Sequence, residues 1–162
     1  MLQAGVKESV ELIPVGYSFA SRLLLSEEEI ISGARLVGDS NPIHLVPGSE
    51  HPLNFEELIA SGSHVTGLFS ALIPTEFSKF GPMIGAQMAV KFLRPILANV
   101  EYSMEWVVNS YAWKAGLNGY LYNLSGKIVK VDAESVPSSL VVRADADIVY
   151  YGPSGSTLFP SR

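Results

Sequence analysis

One strongly apolar helical segment followed by a run of long strand-like blocks is the feature that most constrains how this chain can fold. An apolar residue recurs every three or four positions between 65 and 73, which predicts a helix with one apolar face. Pro74 and the Gly-Pro-Met-Ile-Gly segment after it predict the end of that helix. The strand-like blocks cover residues 83–92, 101–114, 120–131 and 140–151.

Turn-forming residues separate the strand-like blocks. Asn118-Gly119 is typical of a hairpin, residues 93–95 interrupt the pattern at a proline, and residues 136–139 predict another turn. Short turns between long strands favour antiparallel neighbours. We therefore predict one α+β domain over residues 1–151, in which an antiparallel sheet wraps around the central apolar helix. The Gly-, Pro- and Ser-rich tail at 152–162 is expected to be mobile.

A shorter helix is predicted upstream. A strand at 17–24 is followed by Ser26 and Glu29, which form a capping-box pattern, and Gly38 is placed where a helix ends in a left-handed turn. Asp39 thus follows a helix C-terminus. Residues 39–52 are rich in turn formers and predict an irregular loop.

Within that loop, Asp39 and His44 lie five residues apart and flank Asn41-Pro42. Pro42 fixes one backbone dihedral and Asn41 can bond to the loop backbone, so two proton-handling side chains can be held together without regular structure. The central helix begins with the polar segment 60–64, Ala-Ser-Gly-Ser-His. Its unpaired backbone N–H groups would meet a bound anion or carbonyl.

Composition excludes several classes of function. With a net charge of -5 and a pI near 5.1, the chain is not expected to bind nucleic acid, although Lys91, Arg94 and Lys114 could hold the phosphates of coenzyme A. The absence of cysteine rules out disulfides, thiolate metal sites and cysteine nucleophiles. Only 17% of the residues are charged, against roughly 25% in an average globular protein, so we expect a homo-oligomer that hides apolar surface.

The first sixteen residues lack a basic region followed by an apolar run, and no uninterrupted apolar segment approaches the ~18 residues that a membrane span needs. We therefore expect a cytoplasmic protein with no membrane partner.

Three motifs together resemble the MaoC-like dehydratases and (R)-specific enoyl-CoA hydratases, which have the hotdog fold. They are the Gly-Asp-x-Asn-Pro-x-His run at 38–44, the apolar-Ala-x-Gly start of the central helix, and the Phe-Leu-Arg-Pro-Ile block at 92–96. The resemblance covers residues 17–108.

This resemblance implies that Asp39 and His44 activate a water that adds across the double bond of a trans-2-enoyl thioester, or remove it in the reverse reaction. It also implies that the Gly62 N–H polarises the thioester carbonyl. The other candidates for the oxyanion or substrate-binding site are Ser63, Asn41, Ser61 and His64. The implied substrate is a coenzyme A or acyl-carrier thioester with no further cofactor, and the implied assembly is a homodimer or higher homo-oligomer whose sheets join edge to edge.

The sequence departs from the family at two positions. Ser61 replaces the usual histidine before the glycine, and Gly67 stands where many hydratases have serine. Residues 46–58 also lack the usual aromatic-glycine pattern.

Simpler roles remain open for individual residues. Asp39 could only cap a turn, His64 could line the site or bond to a neighbouring strand, and His51 is expected to be an exposed loop residue. The four residues Asp39, His44, His51 and His64 match no regular metal-ligand spacing, so we expect no metal. Trp106 and Trp113 are expected to serve packing or an interface.

Two other functions compete with hydration. A hotdog thioesterase would need an acid on the central helix, but Glu76 comes late, after Pro74. A binding or assembly module without turnover would need neither Asp39 nor His44.

Overall fold

The structure is a computed structural model that describes residues 12–46, 57–132 and 137–152. The strands are β1 (Ser18–Leu24), β2 (Met83–Phe92), β3 (Glu101–Lys114), β4 (Gly119–Val131) and β5 (Pro137–Tyr150), and the helices are α1 (Glu27–Leu36) and α2 (Gly62–Phe77). His51 and the predicted tail lie outside the described residues, apart from Gly152.

The five strands of the described residues form one antiparallel sheet in the order β1-β3-β4-β5-β2. β1 and β2 are therefore the edge strands, and α2 packs on one face of the sheet. This arrangement confirms the predicted α+β class. Among the described residues, no helix is long and apolar enough to cross a bilayer.

Strand bounds follow the sequence prediction closely in the middle of the chain and less well at the last turn. The blocks predicted at 83–92 and 101–114 have those bounds as β2 and β3. Pro137–Ser139 belong to β5, although the sequence predicted a turn there. Pro137 is the first residue of its strand, where its missing N–H costs no interior hydrogen bond of the ladder.

The β3–β4 connection is a hairpin, as Asn118-Gly119 predicted. A short 3₁₀ turn over Ala115–Leu117 precedes Asn118, which has a φ of 48°. Asparagine tolerates this left-handed conformation better than most residues with a Cβ.

The sequence predicted that helix α2 ends near Pro74, but the helix runs past this residue. It continues to Phe77, with Pro74 inside it. The proline removes one hydrogen bond of the helix, but the turn that follows is anchored because Phe77 is fully buried. Its ring makes edge-to-face contacts with Phe19, Tyr122 and Tyr150 at centroid distances of 6.4, 5.5 and 6.1 Å.

The middle of α2 packs directly on the sheet. The ring of Phe69 stacks on the fully buried Trp106 at 4.4 Å, and the Trp106 Nε1–H donates to the Phe69 carbonyl at 3.0 Å. Gly126 allows this approach, because a Cβ there would lie 2.7 Å from both rings. Trp106 is thus a packing residue, whereas Trp113 is 52% exposed.

The C-terminal end of helix α1 positions Asp39. Ser26 and Glu29 form the predicted capping box, and Gly38 has a φ of 76°, as predicted for a residue that ends a helix. The Asp39 N–H then donates to the carbonyl of Ala34 at 2.8 Å. The position of Asp39 is therefore tied to the last turn of α1.

Candidate functional site

Asp39 and His44 meet in space. The Oδ2 atom of Asp39 lies 3.3 Å from Nε2 of His44. The Asp39 side chain is 27% exposed and the His44 side chain 8% exposed. One partner therefore faces solvent while the other is nearly buried, which is suitable for proton exchange with a bound water or substrate.

The intervening loop is held by its own residues. Asp39 Oδ1 accepts from the Asn41 N–H at 3.1 Å, and Asn41 Oδ1 accepts from the Ile43 N–H at 3.4 Å. Pro42–His44 form a single 3₁₀ turn with Asn41 as its N-cap. Asn41, a candidate for substrate binding, thus serves the loop in this structure.

The tautomer of His44 follows from its second contact. Nδ1 lies 2.8 Å from the carbonyl oxygen of Ile59. A carbonyl can only accept, so Nδ1 carries a hydrogen and a neutral His44 presents an unprotonated Nε2 toward Asp39.

The backbone around Ile59 is fixed by the block after β2. The Ala60 N–H donates to the Ile96 carbonyl at 2.8 Å, and the Ala98 N–H donates to the Leu58 carbonyl at 2.9 Å. This short bridge fixes the acceptor for His44 and sets the start of α2. The sequence analysis missed the Ile59 carbonyl, because side-chain identity carries no signal for a backbone acceptor.

Ser61 joins the pair through Asp39. It is fully buried, and its Oγ–H donates to Asp39 Oδ2 at 2.7 Å. The Ser61 hydroxyl is the main cause that lowers the pKa of Asp39 below its usual value, followed by the Asn41 N–H and, when His44 is protonated, by the positive charge of its ring. Asp39 is therefore held as a carboxylate.

Gly62 is the first residue of α2 and lies beside Phe92, the last residue of β2. A Cβ at Gly62 would come within 3.3 Å of the Phe92 ring. A cavity of about 340 Å³ opens here, bordered by Gly62, Ile59, Phe92 and Arg94. The backbone of Gly62 is thus next to open space beside the Asp39, His44 and Ser61 cluster.

The remaining polar residues of the 60–64 segment do not join that cluster. Ser63 is exposed, and within the described part of the chain its side chain makes no hydrogen bond. The ring of His64 lies against Gly33 of α1, and its Nδ1 is buried without a partner among the described residues. His64 forms no hydrogen bond to Asp39, His44 or Ser61, so its observed position is between the two helices.

The three candidate phosphate-binding residues do not lie together in the structure. Arg94 borders the cavity beside Gly62, and Lys91 is next to Phe92 in β2. Lys114 is the last residue of β3. Its neighbour Trp113 pairs with Tyr120, and Tyr120 pairs with Tyr150, which pairs with Met83 at the start of β2. Lys114 is therefore at the end of the sheet opposite Phe92. Of the three, only Arg94 borders the cavity beside the cluster, because the side chain of Lys91 points to the face of the strand opposite Phe92.

Glu76 is in the last turn of α2, at the end opposite Gly62. It accepts hydrogen bonds from the Tyr17 hydroxyl and from Lys79, each at 2.5 Å. An acid that is engaged twice and far along the helix is poorly placed to activate water at the cluster. The described residues contain no group of three or more metal-binding side chains.

No protein-family model and no curated protein matches this sequence. Solved structures do match. An (R)-hydratase from A. caviae involved in PHA biosynthesis is 23% identical, with a TM-score of 0.68 over 85% of this chain and 97% of that one. The MaoC-like dehydratase from Rhodospirillum rubrum is 20% identical, with a TM-score of 0.66 over 86% and 94% of the two chains.

A third match is the HadBC (3R-hydroxyacyl-ACP dehydratase) complex from Mycobacterium tuberculosis. It is 16% identical, with a TM-score of 0.67 over 88% of this chain and 98% of that one. At these identities the likeness establishes the fold: the chain has the hotdog fold of the (R)-hydratases and MaoC-like dehydratases. The resemblance found in the sequence is confirmed at that level.

Proposed function

We propose that this protein is a hydro-lyase that hydrates a 2-enoyl thioester to the 3-hydroxyacyl thioester, or catalyses the reverse dehydration, with Asp39 and His44 as its acid-base pair. The observation that carries the proposal is the 3.3 Å approach of Asp39 Oδ2 to His44 Nε2 beside the open N-terminus of α2. The fold shared with (R)-hydratases supports the reaction class and the (R) configuration of the product.

In this mechanism a water binds within hydrogen-bond reach of both proton acceptors. The Asp39 carboxylate and the unprotonated Nε2 of His44 withdraw a proton while the water oxygen bonds to C3 of the substrate. The C2–C3 π pair moves toward the carbonyl oxygen, and C2 then receives a proton from the pair. The addition of water is redox-neutral and needs no electron-transfer cofactor. Such acid-base help typically contributes about 10²- to 10⁴-fold in rate.

The N-terminus of α2 would stabilise the enolate. Negative charge develops on the thioester oxygen, and the Gly62 N–H offers a fixed donor together with the positive end of the helix dipole. In other enzymes, the loss of one such donor costs roughly 3 kcal/mol. Ser63 is exposed in the same turn of α2.

Coenzyme A is the proposed carrier of the acyl group. Arg94 borders the 340 Å³ cavity, so its guanidinium can meet a phosphate at the mouth of the site. An acyl carrier protein is the other candidate carrier, and side-by-side assays of the two thioesters distinguish them.

We also propose a homodimer formed along β2. This edge strand is ten residues long and mostly exposed, with Ile84 48% and Phe92 43% exposed. A long apolar edge is a template for pairing with another strand. Sedimentation of the intact chain tests the proposal, because a mass of one chain at the assay concentration would contradict it.

Loss of enoyl absorbance with crotonyl-CoA is the direct test of hydration. We expect turnover by the unmodified protein and a loss of about 10²- to 10⁴-fold in kcat for Asp39→Asn and for His44→Ala. Asp145→Asn, on the exposed face of β5, is the matched control and should keep full activity.

Longer and branched enoyl thioesters extend the assay, with free-thiol release measured in parallel. Thiol release without hydration would favour a thioesterase. Binding of the thioesters without any turnover would favour a binding module, and either result would overturn the proposal.

A further inference from the structure

Ser61 has an unusual arrangement for the residue that begins a helix. It is the N-cap of α2, with φ -60° and ψ 130°, yet its side chain makes no capping hydrogen bond. A serine at this position ordinarily accepts from a backbone N–H in the first turn, which stabilises the helix. The Ser26 side chain does this for α1. The hydroxyl of Ser61 is therefore diverted from its usual role.

The diverted hydroxyl has one specific partner. It donates to Asp39 Oδ2 at 2.7 Å, the same oxygen that lies 3.3 Å from His44 Nε2. A hydroxyl carries a single proton, so this bond requires an oxygen that can accept. Because Asp39 Oδ1 already accepts from the Asn41 N–H, both oxygens are engaged as acceptors and the ionised carboxylate is favoured.

The same diversion leaves the first turn of α2 open. Within the described part of the chain no side chain caps this turn, so the N–H groups at the start of the helix are open to an incoming acceptor. An N-cap that bonded its own helix would compete with a substrate carbonyl for these donors. The Ser61 side chain thus affects both the Asp39–His44 pair and the N-terminus of α2.

We propose that Ser61 is a positioning residue, which keeps Asp39 ionised and aimed at His44 while leaving the start of α2 uncapped for the substrate carbonyl. This rests on the proposed hydration. The role differs from the direct substrate contact that the sequence suggested for Ser61, because the fully buried hydroxyl is already committed to Asp39.

The first test measures Asp39 itself and needs no turnover. The carboxyl carbon of Asp39 is followed by NMR through an acid titration of the intact protein and of Ser61→Ala. Removal of a hydrogen bond to the charged form raises the pKa of Asp39 toward its ordinary value. Ser78→Ala, at the other end of α2, is the matched control and should leave the titration unchanged.

The second test uses the pH dependence of kcat. Asp39 and His44 must both be unprotonated to accept a proton, so the acidic limb of the pH profile belongs to the interacting pair and activity falls as the pH drops through it. A raised pKa in Ser61→Ala moves this acidic limb to higher pH, and kcat on the plateau falls roughly ten- to a hundredfold, the range for a lost hydrogen bond to a charged group. Ser61→Thr, which keeps the hydroxyl, should return the acidic limb of the pH profile to its original position.

A double-mutant cycle separates positioning from general damage. If Ser61 acts through Asp39, then Ser61→Ala in an Asp39→Asn background should change the residual rate by no more than roughly twofold. An equally large loss in both backgrounds would overturn the proposal, as would an unchanged Asp39 titration in Ser61→Ala. The NMR titration does not depend on turnover. It therefore tests the role of Ser61 even if the hydration assay shows no activity.

Discussion

The two ends of α2 are held in place by different interactions. At its C-terminal end, Phe77 is fully buried among aromatic rings. At its N-terminal end, Ser61 and the short bridge around Ile59 hold the chain by hydrogen bonds to Asp39 and His44. The aromatic end contributes mainly to stability, whereas the polar end keeps donors and acceptors at defined positions beside open space. Substitutions at the two ends should therefore have separable effects.

Phe77→Ala should produce the largest loss of stability. The substitution removes a fully buried ring that contacts Phe19, Tyr122 and Tyr150, and such a change costs about 3–5 kcal/mol of the free energy of unfolding. Chemical denaturation measures the loss. Leu36→Ala, at a position 83% exposed, is the control and should change stability by less than about 0.5 kcal/mol.

Phe77→Ala should leave the rate of catalysis unchanged despite its loss of stability. Because the aromatic end does not contact Asp39 or His44, the folded fraction of the variant should keep its kcat. A drop in kcat of more than tenfold at a pH and temperature where the variant is folded would show that the two ends are coupled.

The fold was largely predictable because its signals are local. The spacing of apolar residues in α2, the capping box at Ser26 and the turn at Gly38 each involve neighbours in sequence. Pro74 shows the limit of this approach. Its local effect is to end a helix, but the tertiary burial of Phe77 keeps the next turn helical.

The site was predictable only in part. The approach of Asp39 to His44 was inferred from a motif, and the structure brings the two side chains together. The Ile59 carbonyl was not predictable, since it is a backbone group held by a distant segment. Ser61 was identified as a candidate but with a different contact, because its orientation depends on how α1 and α2 meet. Contacts between elements, rather than residue types, decide these details.

Gly33→Ala tests how the polar end is assembled. A Cβ at Gly33 would overlap the His64 ring, so the ring must turn away or α1 and α2 must separate slightly, at a cost of about 1–3 kcal/mol. Since α1 carries Asp39 at its end, kcat should also fall. Urea denaturation and the hydration assay measure the two effects. Adding His64→Ala should recover part of the stability, and an additive double mutant would argue against the contact.

Gly67→Ala should have the smallest effect and the opposite sign. Gly67 is an exposed interior residue of α2, and a Cβ there would meet no atom within 4 Å. Alanine lowers the entropy of the unfolded chain and favours the helix, so the free energy of unfolding should rise by about 0.5–1 kcal/mol. Denaturant titration measures it. A loss of stability instead would mean that this face of α2 is covered in solution, as a second subunit packed beside it would require.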